Sequence, residues 1–311
     1  MDALGALWRV LVFPGGLYLI AGSLAITWLD RALVARWQSR RGPPWYQPLA
    51  DLIKLLAKED ISPRGTHAWM AVALPIASLA ATLTAGLYVP VGAAAVGAFQ
   101  GDLIVVLFLL SVPTLAYFLA GWATPSVYGV LGGNRSLLQY YAYEVPLIVG
   151  MAAPAVHAQS WAIADLVAAQ QGFHWHALYL PVGLAVAVAG LLGKLKRVPF
   201  DIPHAKSEVG AGPLTEYSGR KLGLWKLTVS LQTLVGIHLL VAVYLGGVDG
   251  VTALGTYPAY LVKTLLCIAG FSLIQVLYAR LRIDQMAEIG WRLLVPLGLV
   301  QMLATIWMGR A

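Results

Sequence analysis

DLIVVLFLLSVPTLAYFLAGW, residues 102–122, carries one charged side chain, at its first position, and is otherwise almost wholly apolar. A helix crossing a ~30 Å hydrocarbon core needs about 20 such residues. Seven further stretches share this character, giving eight expected spans at about 6–29, 67–90, 102–122, 137–159, 177–193, 222–246, 258–279 and 289–308. Composition agrees. Of 311 residues, 59% are hydrophobic and 11% charged, against about 25% charged in a soluble domain. Too few charges remain to cover a water-facing surface, so disorder, coiled coil and an ordinary soluble enzyme are excluded. The expected fold class is all-α: one polytopic integral membrane domain over 1–311, with about eight transmembrane helices and one amphipathic interfacial helix.

Pro14, Pro75, Pro113, Pro146 and Pro296 fall inside spans, where neighbouring helices can satisfy the carbonyls they free. Small residues such as Gly183, Ala187 and Gly190 allow close helix contact. The first span has no basic start and no cleavage site, so it reads as a helix and not a signal peptide.

The net charge is +7, and its placement is a topology signal. Arg31, Arg36, Arg40, Arg41, Lys54, Lys58 and Arg64 follow the first span. Arg135 comes next on the same side, then Lys194, Lys196, Arg197, Lys206, Arg220, Lys221 and Lys226, then Arg280, Arg282 and Arg292. The intervening loops, at about 91–101, 160–176 and 247–257, have no lysine or arginine. Only Arg9, Lys263 and Arg310 depart from the pattern. The positive-inside rule makes the basic side cytoplasmic, with both termini outside, in a bacterial or archaeal inner membrane. Nucleic acid is not an expected partner.

Two cytoplasmic loops, 30–65 and 194–221, are long. In the first, QPLADLIKLLAKED (47–60) places Leu49, Leu52, Ile53 and Leu56 on one helical face and Asp51, Lys54 and Lys58 on the other. It reads as an interfacial amphipathic helix, or one that docks a peripheral subunit. The second, KLKRVPFDIPHAKSEVGAGPLTEYSGRK, is rich in Pro, Gly and mixed charge. It suits a docking surface or the mouth of a proton path, or else a solvated loop whose charges pair among themselves.

Glu144, in QYYAYEVPL, is the informative buried acid. A carboxylate within a span is costly and needs a partner. Burial disfavours its charged form, which is what a proton relay requires; the alternative is a structural glutamate bonded to nearby tyrosine hydroxyls. Lys263 is either a second relay group or a lysine snorkelling to the outer interface. His174 and His176 flank Trp175 and read as interfacial aromatics more readily than as a metal site. One cysteine, Cys267, cannot make a disulfide or an iron–sulfur site within the chain. No phosphate-binding loop, no nucleophile–His–acid set and no repeat of one half in the other is present.

PFDIPHAKSEVGAGPLTEYSG (199–219) resembles the long cytoplasmic loop of the subunit-1 family of respiratory complex I and its relatives, the energy-converting membrane-bound hydrogenases and formate hydrogenlyases. YEVPL (143–147), QPLADLIKLLAKED (47–60) and RIDQMAEIGWRLLVP (282–296) resemble that family's fourth-span, first-loop and last-loop motifs. The resemblance implies a heel subunit that joins a peripheral redox arm to an ion-pumping membrane arm and binds no metal itself. It implies a proton path through Glu144, Asp201, Glu208 and Glu216, with Arg197 and Arg280 as basic companions. It places subunit docking or a quinone chamber along Arg36, Asp51, Lys54, Lys58, His204 and Lys206.

Implied partners are iron–sulfur and hydrogenase-like or 49-kDa-like peripheral subunits, with nickel–iron in the hydrogenase case, and antiporter-like membrane subunits. His204 and Lys206 stand where quinone-linked members carry acids. That and GPLTEYSG point to the hydrogenase-type branch; YEVPL and RIDQM fit the quinone-linked branch, which is the alternative. Outside the family, the rivals are a stand-alone secondary transporter and a passive anchor.

Overall fold

A computed structural model describes residues 3–91, 96–172, 174–203, 205–248 and 253–308. All regular structure among them is helical. A short α1 (Ala3–Leu11) precedes α2 (Gly16–Trp37); the first expected span is therefore broken at Pro14, and its helix runs past the expected end at 29. The amphipathic helix appears as α3 (Gln47–Ala57), started by Pro48 in its first turn. Then come α4 (Ala68–Tyr88), α5 (Asp102–Trp122) and α6 (Val127–Ala158). Helix α6 starts ten residues before the expected boundary at 137, because Ser126 caps Gly129 N and Gly129, Gly132 and Gly133 leave room for close packing. At Gly121 a Cβ would meet Gly129 O at 2.3 Å.

Short α7 (Ile163–Ala168) and α8 (His176–Tyr179) lead to α9 (Pro181–Lys194). A single turn, α10 (Lys206–Val209), precedes α11 (Gly219–Tyr244) and α12 (Ala253–Leu277). The last helices are α13 (Ile283–Glu288), a π-helical turn (Ile289–Leu294) and α14 (Val295–Met308), which run on as one rod.

Among the described residues, six helices are long and apolar enough to cross a membrane: Leu7–Trp37, Ala68–Tyr88, Asp102–Trp122, Gly219–Tyr244, Tyr257–Leu277 and Ile283–Trp307. The other two expected spans correspond to α6 and α9. Helix α6 carries Arg135, Gln139, a run of tyrosines and Glu144, so its mean hydropathy is low, although Gln139, Tyr143 and Glu144 are buried. Helix α9 has 14 residues, about 21 Å at ~1.5 Å per residue, and gains its burial from neighbours.

The pairing of α6 with α9 positions the site. The helices run antiparallel in a register set by small residues. A Cβ on Gly190 would lie 2.9 Å from Leu147 Cα, and one on Gly150 would lie 2.8 Å from Ala187 N. One turn on in the same register, Glu144 faces the end of α9, where Gly193 packs on Tyr143. Small-residue contacts of this kind replace the hydrophobic effect between helices in lipid. Helix α11 is the centre of the bundle, with its second half wholly buried, and Tyr244 donates a short hydrogen bond to Gly150 O.

The two long basic segments meet on one face. Ile61 N donates to Ser218 Oγ at 2.8 Å, and Ser218 Oγ donates to Ile61 O at 2.9 Å. Arg220 N donates to Asp60 Oδ1 at 2.7 Å, and Lys221 Nζ to Ser62 Oγ at 2.8 Å. Gly212, at φ 59°, has no room for a side chain, since its Cβ would sit 2.2 Å from Pro203 O. The last loop joins the same face through Leu281 N to Pro199 O at 2.9 Å. Helix α3 packs Leu52 against the core and leaves Leu49, Ile53 and Leu56 exposed, as an interfacial helix would.

Candidate functional site

Glu144 does not use the tyrosine hydroxyls as its partners. Lys194 Nζ donates to both of its carboxylate oxygens at 2.9 Å and to Ser111 Oγ at 2.8 Å. Ser111 Oγ in turn donates to Glu144 Oε1 at 2.5 Å. The two side chains are 1% (Lys194) and 9% (Glu144) exposed. Tyr143 turns instead to Thr114, its hydroxyl donating to Oγ1 at 3.1 Å. Ser111 and Thr114 lie three apart on α5, so one face of that helix serves both α6 residues.

Lys194 corrects the sequence reading. As the first cation of a basic loop it counted only toward topology, whereas it closes α9 inside the bundle. The signal lay in Gly183, Gly190 and Lys194, which share one helical face; a lysine in line with two packing glycines faces the partner helix. Gln139, one turn before Tyr143, ties the same junction from α6. Its amide donates to Gly193 O at 2.7 Å and Phe200 O at 2.8 Å.

Asp201 pairs with Arg280 at 2.9 Å, and Glu208 pairs with Arg135. Arg135, Glu208 and Arg280 border a cavity of about 470 Å³ that also has Arg282 and Asp284 in its wall. Arg197 meets none of the four expected acids; it binds Asp30 at 2.8 Å, and Ser272 Oγ donates to the same oxygen at 2.6 Å. Glu216 is half-buried without a described ion pair. Lys263 lies at the opposite end of the bundle, where its Nζ donates to Gly247 O at 3.2 Å and sits 5.1 Å above the Trp175 ring. It is not brought to Glu144.

On α3, Asp51 accepts from Gln47 at 2.9 Å and Arg31 at 3.3 Å. Burial alone would raise its carboxyl, but these hydrogen bonds outweigh burial and hold it below the usual range. Arg36, Lys54 and Lys58 are exposed. His204 and the Lys206 side chain lie outside the described residues.

A second, larger cavity of about 790 Å³ opens between α2, α11 and the 210–217 segment. Arg31, Arg197, Leu214, Tyr217, Trp225 and Lys226 form much of its wall, and no carboxylate lines it among the described residues. Burial pushes the Tyr217 hydroxyl up to about 12. The hydroxyl of Tyr217 and the indole N–H of Trp225 are buried with no hydrogen-bond partner among the described residues.

An all-helical bundle with several membrane-length apolar helices, a buried ion pair at its core and ion-paired loops on one face defines a polytopic membrane protein. The family described as NADH dehydrogenase matches residues 10–306, and the chain belongs to that family. It is 36% identical over 299 residues to the second H-type subunit of NADH-quinone oxidoreductase in Geobacter sulfurreducens, covering 91% of this chain and 90% of the relative. It is 31% identical to the corresponding NADH-quinone oxidoreductase chain of Carboxydothermus hydrogenoformans, covering 93% and 85%.

Among solved structures, an archaeal respiratory membrane complex, the membrane-bound sulfane sulfur reductase, contains a chain that superposes with a TM-score of 0.89 at 26% identity. The match covers 97% of this chain and 99% of that one. This chain is therefore a membrane subunit of a complex-I-like multisubunit oxidoreductase.

Proposed function

We propose that this chain is the membrane subunit at which a docked redox arm is coupled to proton uptake, with the basic face toward the cytoplasm. The observation that carries this reading is the Glu144–Lys194–Ser111 cluster, because Lys194 is the last residue of α9 and its backbone continues straight into the 194–221 loop. A displacement of that loop moves the ammonium that holds Glu144. As the ammonium withdraws, the carboxylate loses its counter-charge and takes up a proton; as it returns, the proton is expelled. Asp201 and Glu208, each ion-paired at the loop surface, form the cytoplasmic part of this path, together with Glu216. Antiporter-like membrane subunits would receive the charge, and iron–sulfur peripheral subunits would dock on the basic face.

The 790 Å³ cavity supports a quinone-linked complex. Its size falls in the range of small-molecule sites, and its wall is largely apolar, with Tyr217 and Trp225 among its residues and cations at Arg31, Arg197 and Lys226. The named relatives are NADH-quinone oxidoreductase subunits. A bound quinone would supply a two-electron, two-proton acceptor; Arg31 and Lys226 are the donors that would hold its carbonyl oxygens. A hydrogenase-type complex is the second reading, favoured by a chamber wall whose described residues include cations and no acid, and by His204 and Lys206 in the loop sequence.

The test is a mild-detergent pull-down of the tagged chain with mass spectrometry, nickel and iron analysis, and a quinone-reduction assay. Iron–sulfur subunits with quinone reduction and no nickel are expected. Co-purified nickel without quinone reduction would transfer the chain to the hydrogenase-type reading. A chain that comes down alone from membranes whose other complexes stay intact would contradict the subunit reading altogether.

A further inference from the structure

Two residues past Lys194 the chain turns sharply. Lys196 adopts φ 51°, a left-handed conformation unusual for a side-chain-bearing residue. The turn is fastened by Lys196 N to Gly193 O at 3.1 Å and Arg197 N to Leu192 O at 3.1 Å. It sends the neighbouring cations in different directions. Arg197 reaches Asp30, whereas the Lys196 ammonium points inward and rests 3.6 Å above the ring of Tyr117, itself 1% exposed. No carboxylate pairs with Lys196 among the described residues. Burial pushes its ammonium down to about 7, into the range where a lysine exchanges protons at physiological pH.

The position of this lysine is informative. Lys194, Lys196, Tyr117, Trp225 and Gln232 enclose a cavity of about 10 Å³, room for roughly one water molecule. Trp225 and Val229 form part of its wall and also part of the wall of the 790 Å³ chamber. The small cavity thus lies between the chamber and the Glu144–Lys194 pair. The titratable groups around it are Tyr117 from α5, Lys194 from α9 and Lys196 itself; Asp201 acts electrostatically on Tyr117 from the following loop, Glu144 of α6 lies behind Lys194, and Gln232 of α11 is polar but does not titrate. Of these, Lys196 is the base without a described acid partner.

We propose that Lys196 is the proton-transfer residue between the chamber and Glu144, acting through one water held among Lys194, Lys196 and Trp225. The neutral amine accepts a proton from a hydronium ion entering from the chamber side past Trp225 and Val229, an O–H bond breaking as the N–H bond forms. That bond breaks as the ammonium passes a proton to the water; the water gives one of its own to Lys194 Nζ as Lys194 releases a proton to the Glu144 carboxylate it already bonds, forming the O–H bond and restoring the Lys196 amine and the Lys194 ammonium. No electron moves in these steps. The inference rests on the proton-uptake role of Glu144.

The test uses the assembled complex in sealed vesicles, with initial coupled proton uptake measured across pH. Below about pH 7 the wild-type amine is charged and above it neutral, so the profile inflects near 7. Lys196→Arg keeps the charge and the ring contact but does not release a proton. It should lose the inflection and about tenfold or more of the uptake rate. Lys196→His retains a titrating group near 6.5, so it should keep much of the rate and move the inflection to lower pH; it also serves if the arginine variant assembles poorly. Unchanged profiles in both variants overturn the proposal. If Glu144→Gln abolishes uptake while both Lys196 variants behave as wild type, this inference fails and the role of Glu144 stands. If Glu144→Gln also pumps normally, the reading beneath it fails.

Discussion

Glu144→Gln assembles into the complex but loses coupled proton uptake by about a hundredfold or more, the scale of a missing acid–base group. The amide keeps the size of the side chain and can still accept from Lys194 and Ser111, so the α5–α6–α9 junction persists. It does not titrate. Co-purification of the partner subunits checks assembly, and uptake into vesicles during substrate turnover checks coupling. Glu144→Asp, which keeps the acid but shortens its reach from Lys194, should retain part of the uptake. Uptake at the wild-type level in the glutamine variant would remove Glu144 from the proton path and leave the pair a structural device.

The second large effect is on stability. Lys194→Met leaves Glu144 buried without a counter-charge, and breaking a buried pair from one side costs about 3–5 kcal/mol. The variant should give little assembled complex and an early thermal transition in detergent. Adding Glu144→Leu to it replaces the pair by apolar side chains. Such replacements are often neutral or stabilising by about 1–4 kcal/mol, so the double variant should regain thermal stability and assembly while remaining uncoupled. Recovery of stability without recovery of coupling identifies a pair kept for its chemistry. A Lys194→Met chain as stable as wild type would show that the carboxylate has another counter-charge.

Much of this architecture was legible in the sequence, and the exceptions have physical causes. The apolar stretches and the one-sided basic residues mark the helices and their alternation, since both follow from the cost of placing charge in hydrocarbon. The periodicity of Leu49, Leu52, Ile53 and Leu56 predicts α3, and the structure places that helix beside α2 and α11. Boundaries were harder. Residues 127–136 look like a loop because Gly129, Gly132, Gly133, Asn134 and Arg135 are poor span residues, yet they extend α6, where the glycines pack closely on neighbouring backbone. At the site, Glu144 stood out because an acid inside a span needs a reason. Its partner did not, because Lys194 is the first residue of a run that reads as a basic loop, and the α6–α9 register that buries it is a tertiary property.

The same limit applies to the loop acids. Asp201, Glu208 and Glu216 are close in sequence, but only the fold shows that the first two are held by Arg280 and Arg135 and so share a surface with the last loop. Lys196 belongs here as well. Beside Arg197 it reads as one more topology charge, and only the turn after α9 sends one inward and the other to Asp30.

In the proposed mechanism Glu144 changes protonation when the redox arm turns over. Redox-induced infrared difference spectroscopy on the assembled complex reads this directly, because a protonated carboxyl has a carbonyl stretch that a carboxylate lacks. A carboxyl band is expected that appears with turnover, shifts in heavy water and is absent from Glu144→Gln. A difference spectrum in which every carboxyl band survives that substitution would contradict that mechanism.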